Sequence, residues 1–216
     1  MNIKYYEFLN FLFDRDQHKG EWRYNEYRQE PELTGEDITF FVKHMLDNYD
    51  SDLSQYSDRQ LALGFEYIFN NSFSDWCFYL RDGPSSVEKR VETILSLRGL
   101  FDKCLNVRCQ QKLGHLSEKG NELNNFCYML WDVTPLTYCE DSADKNEIYA
   151  AVIKVMEHTL YLSNKSCVES GLHGLGHMEL YTNNAPKIIR KFLNSNPNIN
   201  AQLKKYAKDA ECGCVL

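Results

Sequence analysis

Hydrophobic residues recur every three or four positions along most of this chain, the spacing of one face of an α-helix. Near the start, Ile3, Tyr6, Leu9 and Leu12 follow this period, and no segment shows the alternation typical of a β-strand. The pattern predicts roughly nine helices with short connections. Four of them are predicted at 2–13, 121–133, 145–163 and about 166–180. The other five begin at Thr34, at Ser57, just after Gly83-Pro84, near Pro186 and near Pro197.

Successive antiparallel helices of this length suit two all-α architectures. One is an irregular multi-helix bundle, and the other is a short helical-repeat stack of the HEAT-like kind. The chain has 216 residues, a length that one hydrophobic core can serve. No glycine- and serine-rich linker divides it, so we predict a single all-helical domain over residues 1–216.

Acidic and aromatic residues are concentrated in the first part of the chain. Residues 1–82 carry 16 acids and 8 bases, whereas residues 83–216 carry 15 acids and 16 bases. The first part also holds 19 of the 29 aromatic residues. Because an acidic region repels phosphate backbones and attracts cations, direct binding of nucleic acid is disfavoured and a basic protein partner is favoured.

Carboxylates beside large aromatic rings suit a protein-binding surface, since the rings supply anchors and the charges steer the approach. The alternative is a solvated helical face with aromatics in the core. The candidate partner-binding residues are Glu21, Trp22, Glu26, Tyr27, Glu30, Glu32, Glu36, Asp37, Asp47, Asp50 and Asp52.

The eight cysteines indicate the cellular compartment. Most of them occur singly within apolar helical patterns, for example Cys77, Cys104 and Cys127, which favours reduced, buried thiols over disulfides. The chain has no apolar run long enough to span a membrane, and residues 1–7 lack the apolar region of a signal peptide. We therefore predict a cytoplasmic protein that does not contact a membrane.

The segment Cys167–His177 combines side chains that can bind metal or transfer protons with small residues. Glu169, His173 and His177 are spaced by four, which places them on one stripe of a helix, and three glycines lie between them. Each helical glycine costs about 0.5–1 kcal/mol relative to alanine, so close packing or a ligand must offset the loss. Our main interpretation is a closely packed central helix whose buried or half-buried histidines bond to polar neighbours.

The alternative interpretation of this stripe is a zinc site or a small metal-dependent enzyme. His173 and His177 can share one ion, and either Glu169 or the pair Cys212 and Cys214 can complete a tetrahedral shell. The chain lacks both His-Glu-x-x-His and Cys-x-x-Cys. Ser170 lies near His173, but no nucleophile elbow presents it. We therefore expect no catalytic residues and no cofactor, with zinc at His173 and His177 as the alternative.

Segment 167–177 and the tail Tyr206–Leu216 resemble parts of small bacterial all-helical proteins. In general character the chain is similar to immunity proteins of contact-dependent bacterial toxin systems. That resemblance implies a small acidic protein without catalysis, which binds and inhibits a basic, nuclease-type toxin. Two alternatives remain: a metal-dependent enzyme centred on Glu169, His173 and His177, and a helical-repeat adaptor or scaffold.

Overall fold

The computed structural model describes residues 3–14 and 29–215, and none of these lies in a β-strand. The helices pack into a multi-helix bundle, so the predicted all-α fold is confirmed. The helices are α1 Ile3–Phe13, α2 Gly35–Asp47, α3 Tyr49–Asp52, α4 Asp58–Phe69, α5 Trp76–Asp82, α6 Val87–Leu100, α7 Asn106–Arg108, α8 Glu122–Val133, α9 Lys145–Thr159, α10 Lys165–His177, α11 Asn184–Ser195 and α12 Ala201–Glu211.

Most helices begin near the predicted positions because the caps are local. Thr34 and Asp37 form the capping box expected for α2, and Ser57 forms a second box with Gln60 at α4. Helix α6 continues through a π-helical turn, Phe101–Leu105, into α7. Helix α10 ends at His177 and is followed by a 3₁₀ turn, so it is shorter than predicted.

The aromatic residues of the first part of the chain mostly build the core. Phe8 stacks on Trp76 with ring centroids 5.4 Å apart, and Phe65 packs on Phe126 at 5.5 Å. All four rings are buried, within one continuous cluster of buried side chains. The high aromatic content of this region therefore reflects packing at least as much as surface anchoring.

Helix α10 lies at the centre of the bundle, in contact with α8, α9 and α12. Every residue from Ser166 to Gly176 is buried. A Cβ atom added at Gly171 would lie 2.0 Å from the Thr159 hydroxyl oxygen, and one at Gly174 would lie 2.8 Å from the Trp131 ring. The glycines thus allow neighbouring helices to approach α10 closely, as the main interpretation of this segment expects.

All eight cysteines are free thiols, of which six are buried and two, Cys212 and Cys214, are exposed. Within residues 3–14 and 29–215, none of the helices has the length and apolar character that a membrane crossing requires.

Candidate functional site

Three side chains from two helices meet at one point on α10. His173 and His177 project from α10, and Asp132 projects from the last turn of α8. The Nε2 atom of His173 lies 2.8 Å from Asp132 Oδ2, and that of His177 lies 2.8 Å from Asp132 Oδ1. The two Nε2 atoms are 3.0 Å apart. Both imidazoles therefore present the same nitrogen to one carboxylate.

The other nitrogen of His173 is held by a pair of tyrosines. Its Nδ1 atom is hydrogen-bonded to the hydroxyl of Tyr206 on α12, and that hydroxyl also bonds to Tyr128 on α8. Burial, followed by the nearby Tyr128, raises the pKa of Tyr206 well above its ordinary value. Tyr206 is therefore a neutral phenol, whose oxygen can accept a hydrogen bond from the Nδ1–H of His173 while its own O–H donates to Tyr128.

The electrostatics of the cluster favour an ionised Asp132. Burial alone would raise the pKa of this carboxyl, but the hydrogen bonds from His173 and His177 outweigh it and hold the pKa well below its usual range. His173 is completely buried, whereas the side chains of Asp132 and His177 keep 24% and 32% of their exposed area. One side of the cluster is therefore closed by protein and the other is open to solvent.

Asp132, His173 and His177 form the group of potential metal ligands found among the described residues. In a tetrahedral zinc shell with bonds of about 2.0–2.1 Å, neighbouring ligand atoms lie about 3.3 Å apart. In this cluster the two Nε2 atoms are 3.0 Å apart, each is 2.8 Å from a different oxygen of Asp132, and one ligand atom from each residue lies within 4.8 Å of the others. Small side-chain movements would therefore make room for one ion.

Glu169 belongs to a separate buried arrangement one turn away on α10. Its carboxylate accepts hydrogen bonds from the backbone nitrogens of Gly114 and His115, at 2.7 and 3.0 Å, and from the His115 ring. That ring stacks on Tyr206 with centroids 4.3 Å apart. Because these three donors occupy its oxygens, Glu169 is not the third ligand of the histidine pair.

Two further elements of the sequence-based hypotheses also find other partners. Ser170 donates to the carbonyl of Cys127 at 2.6 Å and accepts from the Trp131 indole at 3.1 Å, so it does not pair with His173. Cys212 and Cys214 lie outside the group of ligands around His173.

The residue that the sequence analysis missed is Asp132, which lies 41 positions before His173. Spacing along one helix cannot reveal a ligand from another helix. The available signal was local: Asp132 is an acid in the apolar last turn of α8, four residues after Tyr128.

The candidate partner-binding residues fall into three groups. Glu21, Trp22, Glu26 and Tyr27 lie outside the described residues. Among the described residues, Glu32 and Glu36 are exposed, as are Glu30, Asp47 and Asp50 of the third group. The other five form contacts within the chain, and their role in binding stays a prediction. Asp37 caps α2, Asp47 pairs with Lys43, Asp50 pairs with Lys103, Asp52 accepts from Tyr5, and Glu30 accepts from Tyr67 and Trp76.

Comparison with protein-family models, with curated proteins and with solved structures finds no match to this chain.

Proposed function

We propose that this chain is a metal-binding protein that holds one zinc-class ion between Asp132, His173 and His177. The observation that carries the proposal is that the two Nε2 atoms lie 3.0 Å apart and each lies 2.8 Å from one oxygen of Asp132, so that the potential ligand atoms all lie within 4.8 Å of one another. It extends the zinc alternative for the histidine pair and replaces Glu169 with Asp132 as the acidic ligand.

The surroundings of His173 support this assignment. Metal-binding histidines usually donate the proton of their second nitrogen to a nearby acceptor, which fixes the tautomer and directs the other lone pair to the ion. The Tyr206 hydroxyl offers such an acceptor at Nδ1. With Nδ1 protonated, the Nε2 lone pair of His173 points to the place where Asp132 and His177 converge.

The ligand number and exposure fit a catalytic centre better than a structural one. Structural zinc sites are closed by four protein ligands, whereas catalytic sites use three and leave one position for water or substrate. Here two imidazoles and one carboxylate face a side that is open to solvent. An ion in this place can polarise a bound carbonyl or phosphoryl oxygen, or lower the pKa of a bound water.

The same side chains also have an arrangement without metal, in which each imidazole donates an N–H to one oxygen of Asp132. The two states differ in their protons, because metal binding needs both Nε2 atoms deprotonated. Zinc titration by calorimetry separates them. Since exposed thiols also bind zinc, the titration should use the chain with Cys212→Ser and Cys214→Ser.

The proposal expects one ion per chain, and His177→Ala or Asp132→Asn should weaken binding by about 100-fold or more. His177 is the better histidine to replace because it is only half-buried, so the fold should tolerate the change. His158 and Asp102 provide a matched control, as they form a surface histidine–aspartate pair 2.7 Å apart. His158→Ala should leave zinc affinity unchanged. Absence of stoichiometric binding, or equal loss in the control, would overturn the proposal.

A second candidate function is the inhibition of a basic protein such as a nuclease-type toxin. The observation that favours it is a surface cleft of about 450 Å³ lined by Glu7, Glu30 and Glu32 together with Phe11. Phe11 is buried beneath this cleft, and the three carboxylates provide a negative surface that suits a cationic partner.

The charge test of this second function should avoid carboxylates that hold the fold. Glu30 bonds to Tyr67 and Trp76, so its reversal would disturb packing. The double variant with Glu32→Lys and Glu36→Lys avoids this disturbance of the packing. Copurification at low salt should recover a basic protein with the natural chain and lose it with this variant. Recovery of the same protein with both chains would count against the acidic surface.

A further inference from the structure

The two exposed thiols lie next to each other at the end of α12. The Sγ atoms of Cys212 and Cys214 are 3.4 Å apart. The other six cysteines are buried. Because a dissolved reagent can reach only exposed thiols, thiol chemistry on the folded chain is directed to this pair.

The backbone explains why the two sulfurs meet. Helix α12 ends at Glu211, and Gly213 has a φ angle of +71°, a left-handed conformation that favours glycine. The nitrogens of Cys212 and Cys214 both donate to the carbonyl of Asp209, at 3.2 and 2.9 Å. The chain therefore turns back on itself between the cysteines, so that both side chains lie on the same side.

The turn is also anchored beyond the second cysteine. Val215 is buried, and it packs where Gly176 of α10 leaves room for it: a Cβ atom at Gly176 would lie 2.6 Å from a methyl group of Val215. With α12 on one side and this contact on the other, the fold holds Cys212 and Cys214 in proximity.

We propose that Cys212 and Cys214 form a reversible dithiol–disulfide site that reacts with small disulfides such as oxidised glutathione. The thiolate of one cysteine attacks the glutathione disulfide, forms a mixed disulfide and releases one glutathione thiolate. The thiolate of the other cysteine then attacks the sulfur of the first cysteine in this mixed disulfide, which forms the Cys212–Cys214 disulfide and releases the second glutathione thiolate. Glutathione disulfide gains two electrons, the cysteine pair loses two, and the two cysteine protons pass to the released thiolates.

The site is distinct from the metal centre, and its test does not depend on metal. The folded, reduced chain should be incubated with oxidised glutathione and digested for mass spectrometry. We expect the fragment containing residues 212–214 to lose two hydrogens, without a glutathione adduct, and to regain them with dithiothreitol. The six buried cysteines should stay unmodified and provide an internal control.

The variants Cys212→Ser and Cys214→Ser trap the first step. Each keeps one thiol, so a stable glutathione adduct should accumulate on the remaining cysteine. Preorganisation by the turn also predicts that ring closure is about tenfold or more faster in the folded chain than in urea. A lasting adduct on the natural chain, crosslinked dimers in place of the internal disulfide, or equal closure rates in both states would overturn the proposal.

Discussion

Glu169 shows how a single residue is used in the interior of this protein. Its side chain is only 1% exposed, yet its oxygens accept from two backbone nitrogens and from the ring of His115. Burying a carboxylate is costly unless hydrogen bonds compensate for the lost water. The 3₁₀ turn Gly114–Leu116 supplies these hydrogen bonds, and they connect the turn to α10.

Removing the charge of Glu169 should therefore destabilise the chain. Glutamine has nearly the same shape, but its NH2 group replaces one oxygen and cannot accept from the donor that faces that position. We expect Glu169→Gln to lower the free energy of unfolding by about 2–3 kcal/mol, as measured by urea denaturation.

Glu92 is an exposed glutamate on α6 and gives the matched control. The same change there, Glu92→Gln, should alter the free energy of unfolding by less than about 0.5 kcal/mol. Equal effects at the two positions would mean that the contacts of Glu169 with Gly114 and His115 contribute nothing to stability.

Of the four residues that meet at the candidate site, His173 and His177 were predictable from the sequence, whereas Asp132 and Tyr206 were not. The four-residue spacing identified His173 and His177 as neighbours on one face because that relation depends only on helix geometry. It assigned Glu169 to the same site for the same reason, although Glu169 bonds elsewhere. Asp132 and Tyr206 reach His173 from α8 and α12, and such contacts depend on tertiary packing that a single sequence does not display.

Among the helices, α10 shows most clearly how closely neighbouring helices approach one another. A Cβ atom at Gly171 would lie 2.0 Å from the hydroxyl oxygen of Thr159 and 2.6 Å from the carbonyl oxygen of Met156, which is backbone and cannot rotate away. We expect Gly171→Ala to destabilise the chain by about 1–3 kcal/mol, even though alanine favours the helix by about 1 kcal/mol.

Gly99 tests whether this cost comes from packing. It also lies within a helix, α6, but a Cβ atom there would meet only the carbonyl oxygen of Leu46 at an ordinary 3.5 Å. Gly99→Ala should therefore stabilise the chain by about 0.5–1 kcal/mol. Thermal unfolding of both variants measures the contrast, and a gain at both positions would show that α10 has room to spare.

The capping box of α2 should make helix stability depend on pH. The backbone N–H of Thr34 donates to Asp37 and lowers the pKa of this carboxyl. A pKa lowered by folding stabilises the folded chain above the ordinary aspartate pKa, and this stabilisation is lost as the pH falls through the lowered value. Asp37→Asn should cost up to about 1 kcal/mol near neutral pH and nothing at low pH.

The box at α4 is the control, because its residues Ser57 and Gln60 carry no charge. Ser57→Ala should cost about 1 kcal/mol at every pH. Urea midpoints between neutral pH and about pH 3 measure both variants. A cost of Asp37→Asn that persists unchanged in acid would contradict the role of the charge.

The helices themselves were largely predictable because periodicity and caps are local signals. The capping residues Thr34 and Asp37 lie where the sequence indicated them. Helix α5, Trp76–Asp82, was missed. It has only seven residues, fewer than the window over which a helical period can be recognised, and its place in the core depends on aromatic contacts such as Phe8 with Trp76.

Part of the acidic character of the first part of the chain is compensated by partners within the molecule. Asp47 and Asp50 are exposed but form ion pairs with lysines, and Asp52 and Glu30 bond to buried aromatic side chains. A net charge counted along the sequence includes such carboxylates although they face partners within the fold. The exposed residues Glu32 and Glu36 are therefore a more specific basis for a partner surface than the total charge.

The proposed metal centre joins elements that are distant in the chain, so occupancy should be visible in global stability. The unfolded chain holds Asp132 and His173 far apart and has no preformed site, which means that the ion binds mainly to the folded state. At a zinc concentration of about 100 times the dissociation constant, the free energy of unfolding should rise by about 2.7 kcal/mol. For a chain of this length that is an increase in melting temperature of about 5–10 °C.

The shift should follow the identity of the ligands and of the ion. In the background with Cys212→Ser and Cys214→Ser, Asp132→Asn should abolish the zinc-dependent increase, whereas His158→Ala should retain it. Magnesium should have little effect at the same concentration, because it prefers oxygen ligands and keeps its own waters. A melting temperature that rises equally with magnesium, or that still rises with zinc in Asp132→Asn, would show that the ion acts elsewhere. Asp132, His173 and His177 would then be a hydrogen-bonded triad that connects α8 to α10.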